Sequence, residues 1–281
     1  MTAGNDAAAT GPRSSGEAAA QSVRMPEQPA GRDLLAGKVV VITAAAGAGI
    51  GSAAARRCLE EGARVAISDQ HHPRLGALQA ELAELYGDRV WAAPCDVTDD
   101  TSVQSLIGGA ASHFGRIDVM INNAGLGGTR SVVEMTDAEW LRVLDVTLNG
   151  TFRCTRAALR QMVAQGGGGA VVNNASVLGW RAQEGQAHYA AAKAGVMALT
   201  RCAAMDVASH GIRVNAVAPS LATHPFLAKV MSQDLLDDLA SKEAFGRGAE
   251  PWEVANVMVF LASDYASYLT GEVISVSSQR A

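Results

Sequence analysis

Tyr189 and Lys193 stand four residues apart, a spacing that puts a phenol and an ammonium on one face of a helix. A nearby ammonium favours the phenolate and so lowers the pKa of the phenol. A phenol tuned in this way can exchange a proton near neutral pH, where an ordinary tyrosine at about 10 is a poor base. Ser176 follows an apolar run and offers a hydroxyl to hold a substrate oxygen beside that phenol. Together the three side chains suit proton exchange with an alcohol. The matching hydride step needs a carrier such as a nicotinamide, because side chains do not supply it. Lys193 is also placed to bond the ribose of that carrier.

A place for the carrier lies near the start of the chain. Thr43-Ala44-Ala45-Ala46-Gly47-Ala48-Gly49-Ile50-Gly51 sits between a β-branched apolar run, Val39 to Ile42, and a predicted helix, Ser52 to Glu61. A glycine loop between strand and helix lets a pyrophosphate approach the backbone and the helix N-terminal N–H groups. Thr43, Ala46, Gly47, Gly49 and Ile50 are the candidate contacts. Asp69 closes the second predicted strand, where a carboxylate accepts both adenosine-ribose hydroxyls and repels a 2′-phosphate. No Arg or Lys occurs in the loop, so NAD is expected over NADP. Gln70 stands beside it. Asp96 and Val97, after the third predicted strand, are placed to meet the adenine.

The elements that must position these residues alternate. Strands are predicted at Val39 to Ile42, Ala63 to Ser68, Val90 to Ala93, Ile117 to Asn122, Ala170 to Asn174, Ile212 to Val217 and Glu272 to Val276. Helical patterns separate them, among them Asp137 to Gln165, with an interruption near Asn149-Gly150, and His188 to His210. Continuous apolar strands between helices imply a single-domain α/β Rossmann fold: a doubly wound, parallel, seven-stranded sheet with helices on both faces. Residues 1–33, rich in Ala, Gly and Ser, read as a disordered tail before a domain over 34–281. A helical substrate lid is expected at about 221–245.

Composition excludes several classes. The net charge of −5 argues against a dedicated nucleic-acid surface. Each apolar stretch is interrupted by Asp or Arg, so no membrane span and no secretory leader is expected, and a cytoplasmic protein is the plain reading. The four cysteines form no C-x-x-C pair and His71-His72 reads as an exposed turn, so no metal site is expected.

Read together, these motifs resemble the short-chain dehydrogenase/reductase family over about residues 36–280. The resemblance rests on the glycine loop, Cys95-Asp96-Val97, Asn122-Asn123-Ala124-Gly125, Ser176, Tyr189-Ala190-Ala191-Ala192-Lys193, Asn215 to Pro219 and Tyr268-Leu269-Thr270-Gly271. It implies alcohol–carbonyl interconversion by Ser176, Tyr189 and Lys193. It implies cofactor contacts at Asn123, Ala124 and Gly125, and at Pro219, Ser220, Leu221 and Thr223. It also implies a homotetramer or, less often, a homodimer.

Four places depart from the family pattern. Ala44 replaces the first loop glycine. Thr147 stands where the family carries a relay asparagine, with Asn149 two residues on, and Thr147 becomes the candidate for that role. Ser220 follows Pro219 in place of glycine. Ser277-Ser278-Gln279 replaces Asp-Gly-Gly.

Within the family, Thr43 to Gly47, Asn173 to Gln183 and the Ser275 to Ala281 ending together resemble an actinobacterial group acting in sterol ring C/D breakdown. That likeness implies NAD-linked oxidation of a hydroxy-methyl-oxo-hexahydroindene carboxyl-CoA. Leu126, Leu178, Trp180 and Phe226 are the candidate pocket for its rings. Two alternatives stand beside it: a 3-oxoacyl thioester reductase or 3-hydroxyacyl-CoA dehydrogenase, and a nucleotide-sensing Rossmann protein without catalysis.

Overall fold

Four β-branched residues in succession form β1 (Val39–Ile42), and every one is buried. The computed structural model describes residues 23–223, 227 and 232–278. Six further strands follow: β2 (Arg64–Asp69), β3 (Val90–Pro94), β4 (Val119–Asn122), β5 (Gly169–Asn174), β6 (Ile212–Pro219) and β7 (Val273–Val276). All pairings are parallel, in the order β3-β2-β1-β4-β5-β6-β7. The order reverses between β1 and β4, and a crevice opens beyond the carboxyl ends of the strands at such a switch point.

Alternation along each strand divides the core. Val40 and Ile42 face α1 (Ile50–Glu60), α2 (His72–Tyr86) and α8 (Pro251–Ala262). Val39 and Val41 face α3 (Asp100–Phe114), α5 (Gly150–Gln165) and the far end of α6 (Ala187–Val207). Helices thus cover both faces, which is why strand residues on either side are apolar.

The long helical pattern from Asp137 is broken as expected. α4 (Asp137–Leu144), with a Thr136–Glu139 capping box, runs into a π-helical turn at Asp145–Asn149 and continues as α5. The extra residue in that turn rotates the chain and sends Asn149 outward, where it donates to Asp145 at 3.1 Å.

The segment before the expected boundary near residue 33 makes contacts with the domain. Residues 1–22 lie outside the described residues. Residues 23–33 form no helix or strand, yet from Gln28 they are fastened to α1. Arg57 donates to the Pro29 and Ala30 carbonyls, and Glu61, fully buried, accepts the N–H groups of Arg32 (2.8 Å) and Leu34 (3.0 Å). A Cβ on Gly31 would sit 2.2 Å from the Glu60 carbonyl oxygen, so the crossing demands glycine. Of the expected lid, residues 224–226 and 228–231, Phe226 included, lie outside the described residues. Its described part holds α7 (Gln233–Ser241), in which no residue is fully buried.

Candidate active site

The glycine loop is pinned from three sides. The Thr43 hydroxyl accepts the N–H groups of Asn123 and Ala124, each at 3.1 Å. Asn123 Nδ2 donates to the Ala44 carbonyl at 3.0 Å. Asp69 accepts the Ala46 N–H at 3.2 Å through Oδ2 and the His71 N–H at 2.8 Å through Oδ1. Ala44 itself sits at φ 50°, so alanine takes up the conformation that glycine would adopt freely, under strain. At Gly51 a Cβ would lie 2.3 Å from the Ala44 oxygen and 2.5 Å from Asn123 Nδ2; only glycine fits.

α1 starts at Gly49 with no side-chain cap and no acidic residue in its first turn. Its leading N–H groups therefore remain for an anion, and a dinucleotide pyrophosphate fits among Gly47, Gly49 and Ile50. Asp69 is buried at the strand end, and each of its oxygens keeps a lone pair for a ribose hydroxyl. Gln70 is exposed. Asp96 folds Oδ1 back onto the Thr98 N–H (2.9 Å) and hydroxyl (2.7 Å), while Val97 is buried against Gly150.

The proton-transfer residues converge over the end of β5. Ser176 caps a short turn, Val177–Gly179, and its Oγ accepts the Leu178 N–H at 3.2 Å. Tyr189 and Lys193 lie in the first two turns of α6. Lys193 Nζ donates to the Asn174 carbonyl at 2.5 Å and stands 5.5 Å from the Tyr189 ring centroid. The chain after β4 passes close by: a Cβ on Gly125 would be 3.5 Å from Lys193 Nζ, and one on Gly127 3.7 Å from the Tyr189 ring.

The electrostatics correct one expectation. Burial, not the ammonium, governs the phenol and pushes Tyr189 up to about 12, with a hydrogen bond to Ser176 pulling it back. The same burial pushes Lys193 down to about 8. Both groups are driven towards their neutral forms, because a site this dry penalises either charge.

Thr147, the candidate relay residue, lies against the loop after β4. It is fully buried in the π-helical turn, where its hydroxyl accepts the Leu126 N–H at 3.0 Å and donates to the Leu126 carbonyl at 3.1 Å. Through this pair of bonds Thr147 fastens the loop that passes beside Tyr189. Gln186 was not among the expected site residues. His188 is buried with Nδ1 accepting the Tyr189 N–H at 2.9 Å, and Gln186 donates to the Gly128 carbonyl at 2.9 Å. A polar side chain just before a helix start was the signal for Gln186.

On the substrate side, Leu126 and Leu178 are half-buried and Trp180 is 53% exposed. Pro219 ends β6, and the Ser220 N–H reaches Val276 at 3.1 Å. Leu221 and Thr223 are half-buried; the Thr223 hydroxyl, expected beside a nicotinamide, lies 3.2 Å from the Ala249 carbonyl and 3.3 Å from Glu250 Oε1 at the start of α8. Among the described residues no group of three His, Cys, Asp or Glu side chains could hold a metal ion, and no helix is long and apolar enough to cross a membrane.

A family model described as enoyl-(acyl carrier protein) reductase matches residues 44–278. A solved structure of a short chain dehydrogenase from Mycobacterium smegmatis superposes with a TM-score of 0.82 at 56% identity, covering 92% of this chain and 99% of that one. The chain belongs to the short-chain dehydrogenase/reductase family. As a member it is an oxidoreductase acting on a hydroxyl or ketone group. A relative from Mycobacterium tuberculosis, a (5R,7aS)-5-hydroxy-7a-methyl-1-oxo-2,3,5,6,7,7a-hexahydro-1H-indene-carboxyl-CoA reductase, is 63% identical over 90% of this chain and 97% of its own. Cis-4-hydroxycyclohexanecarboxylate dehydrogenase from Sinomonas cyclohexanicum is 42% identical over 87% and 96%. A 3-oxoacyl-[acyl-carrier-protein] reductase from Thermotoga maritima is 38% identical over 86% and 97%.

Proposed function

We propose that the chain interconverts a secondary alcohol and a ketone on a bicyclic hydroxy-methyl-oxo-hexahydroindene carboxyl-CoA, with NAD as the hydride carrier. The observation that carries the chemistry is half-buried Tyr189 set between Ser176 and Lys193. The substrate reading is supported by the 63% identity to the M. tuberculosis reductase, and a ring substrate also by the cyclohexanecarboxylate relative.

NAD, held by the glycine loop, Asp69 and Lys193, would supply the acceptor for the hydride of the carbinol carbon. Ser176 holds the substrate oxygen, and Tyr189 removes the hydroxyl proton during oxidation and returns it during reduction. Lys193 fixes the ribose and, while protonated, offsets the phenolate charge. Asp69 supports NAD over NADP, because a 2′-phosphate would bring negative charge against a buried carboxylate. The described part of the expected lid, α7, supports that reading, since none of its residues is fully buried. Exposed apolar residues on the long helices, Phe152 and Met205 among them, support self-association as a homotetramer or homodimer. Four free cysteines support a cytoplasmic site of action.

Steady-state rates settle this reading. The hydroindene carboxyl-CoA with NAD should exceed a linear 3-hydroxyacyl-CoA in kcat/KM by about 100-fold or more, since a site shaped for fused rings leaves a flexible chain misplaced. A preference for the linear thioester would overturn the ring assignment, and equal use of NADP would overturn the cofactor.

A further inference from the structure

Asn174, the last residue of β5, touches both halves of the site. Its Nδ2 donates to Asn123 Oδ1 at 3.0 Å, and Asn123 Nδ2 in turn donates to the Ala44 carbonyl at 3.0 Å. Its own main-chain carbonyl accepts Lys193 Nζ. One residue therefore joins the strained alanine turn to the lysine beside Tyr189.

The chemistry of the amides fixes the direction of this chain. A carboxamide can flip, exchanging its oxygen and its NH2. The Ala44 carbonyl only accepts, so Asn123 must present Nδ2 to it and Oδ1 to Asn174. Asn174 must then present its own Nδ2. That leaves Asn174 Oδ1 buried without a hydrogen-bond partner, an unfavourable arrangement. A β-branched apolar residue would suit the end of a buried strand better on packing grounds alone.

We propose that Asn174 is a positioning residue: by orienting the Asn123 carboxamide it holds the Ala44 turn in its left-handed conformation, in register with Lys193. The inference rests on the reading that this turn and Lys193 receive NAD. It follows that Asn174 matters because residue 44 is alanine. A glycine there adopts φ 50° without help.

The test is a double-mutant cycle read as NAD dissociation constants by titration of the intact enzyme. Asn174→Val should weaken NAD binding about tenfold, with kcat at saturating NAD lowered less than about threefold, since the Lys193 acceptor is main chain. In an Ala44→Gly background the same substitution should weaken binding about threefold or less. Asn174→Thr, whose hydroxyl stops short of Asn123, serves the same cycle if the valine variant does not fold. Equal losses in both backgrounds overturn the proposal. So does an unchanged dissociation constant with a smaller active fraction, the mark of a purely structural role. A wild type that binds neither NAD nor NADP overturns the cofactor reading and this inference with it; a wild type that binds and shows additive losses overturns this inference alone.

Discussion

The two halves of the crevice are built to different standards. Over β1, β4 and β5, Thr43, Asn122, Asn173 and Lys193 are each at most 3% exposed, and their polar atoms bond between neighbouring strands and from strand to helix. Asn122 Nδ2 donates to both Thr155 and Asn173, and Asn173 to Thr200, so a buried polar ladder underlies the cofactor half. Over the substrate half, Trp180 is half-exposed and α7 buries no residue fully. On the proposed function both NAD and the acyl-CoA would enter and leave in each turnover; the fixed contacts would position the dinucleotide, and the loosely packed rim would admit the bulkier acyl-CoA.

The comparison breaks most visibly at the residue where the halves meet. Tyr189→Phe should lower kcat by about 10²–10⁴, the range of a lost acid–base group, while the NAD dissociation constant stays within about twofold. Stopped-flow turnover and a binding titration measure both. Turnover near that of the wild type would remove Tyr189 from the proton path.

Substitutions confined to one half should separate the two Michaelis constants. Asp69→Ala removes the ribose acceptor and the tether on Ala46, so the preference for NAD over NADP should fall by about tenfold or more. Trp180→Ala should raise the KM for the acyl-CoA several-fold, about 1 kcal/mol of lost ring contact, and leave the KM for NAD alone. If both variants moved the same constant, the halves would not be independent.

A third way to sharpen the contrast uses the dryness of the cofactor half. Lys193 is lowered by burial to about 8 from its ordinary 10.5, so between those values the unfolded chain binds more protons than the folded one. Stability must then rise with pH across that window, and the burial penalty is full below about pH 8. Tyr189, raised to about 12, acts in the opposite sense only above pH 10. Lys193→Met removes the first effect. From pH 8 to 10 the wild type should gain on the variant by on the order of 2 kcal/mol in chemical unfolding. A constant difference would mean that water reaches the lysine.

Much of this was legible in the residues. Runs such as Val39 to Ile42 mark strands buried on both faces, and the glycine loop and the 189–193 spacing mark what lies at their ends. What escaped depends on contacts between distant segments. Arg57 and Glu61 look like an ordinary helix-surface pair, yet they grip the main chain of residues 29–34, which carries no periodicity to announce it. Asn174 shows its part only once β4 and β5 are side by side. The spacing put an ammonium near Tyr189 correctly but held no information about burial, and burial reversed the direction of the phenol's shift. The partner of Thr147, Leu126, comes from a loop whose path the sequence does not specify.

The smallest effect tests whether the cofactor half carries stored strain. Alanine in the left-handed region costs about 1–2 kcal/mol, and glycine would relieve that at Ala44, φ 50°. Glycine also adds about 0.5–1 kcal/mol of unfolded-state entropy, which works against the gain. Ala44→Gly should therefore stabilise the chain by about 0.5 kcal/mol, or about 1–2 °C in Tm for a domain of this size. A loss of stability of similar size would mean that the turn is not strained and that Asn123 merely follows it. A gain would show a rigid half assembled around one unfavourable residue, held by neighbours that the looser half does not have.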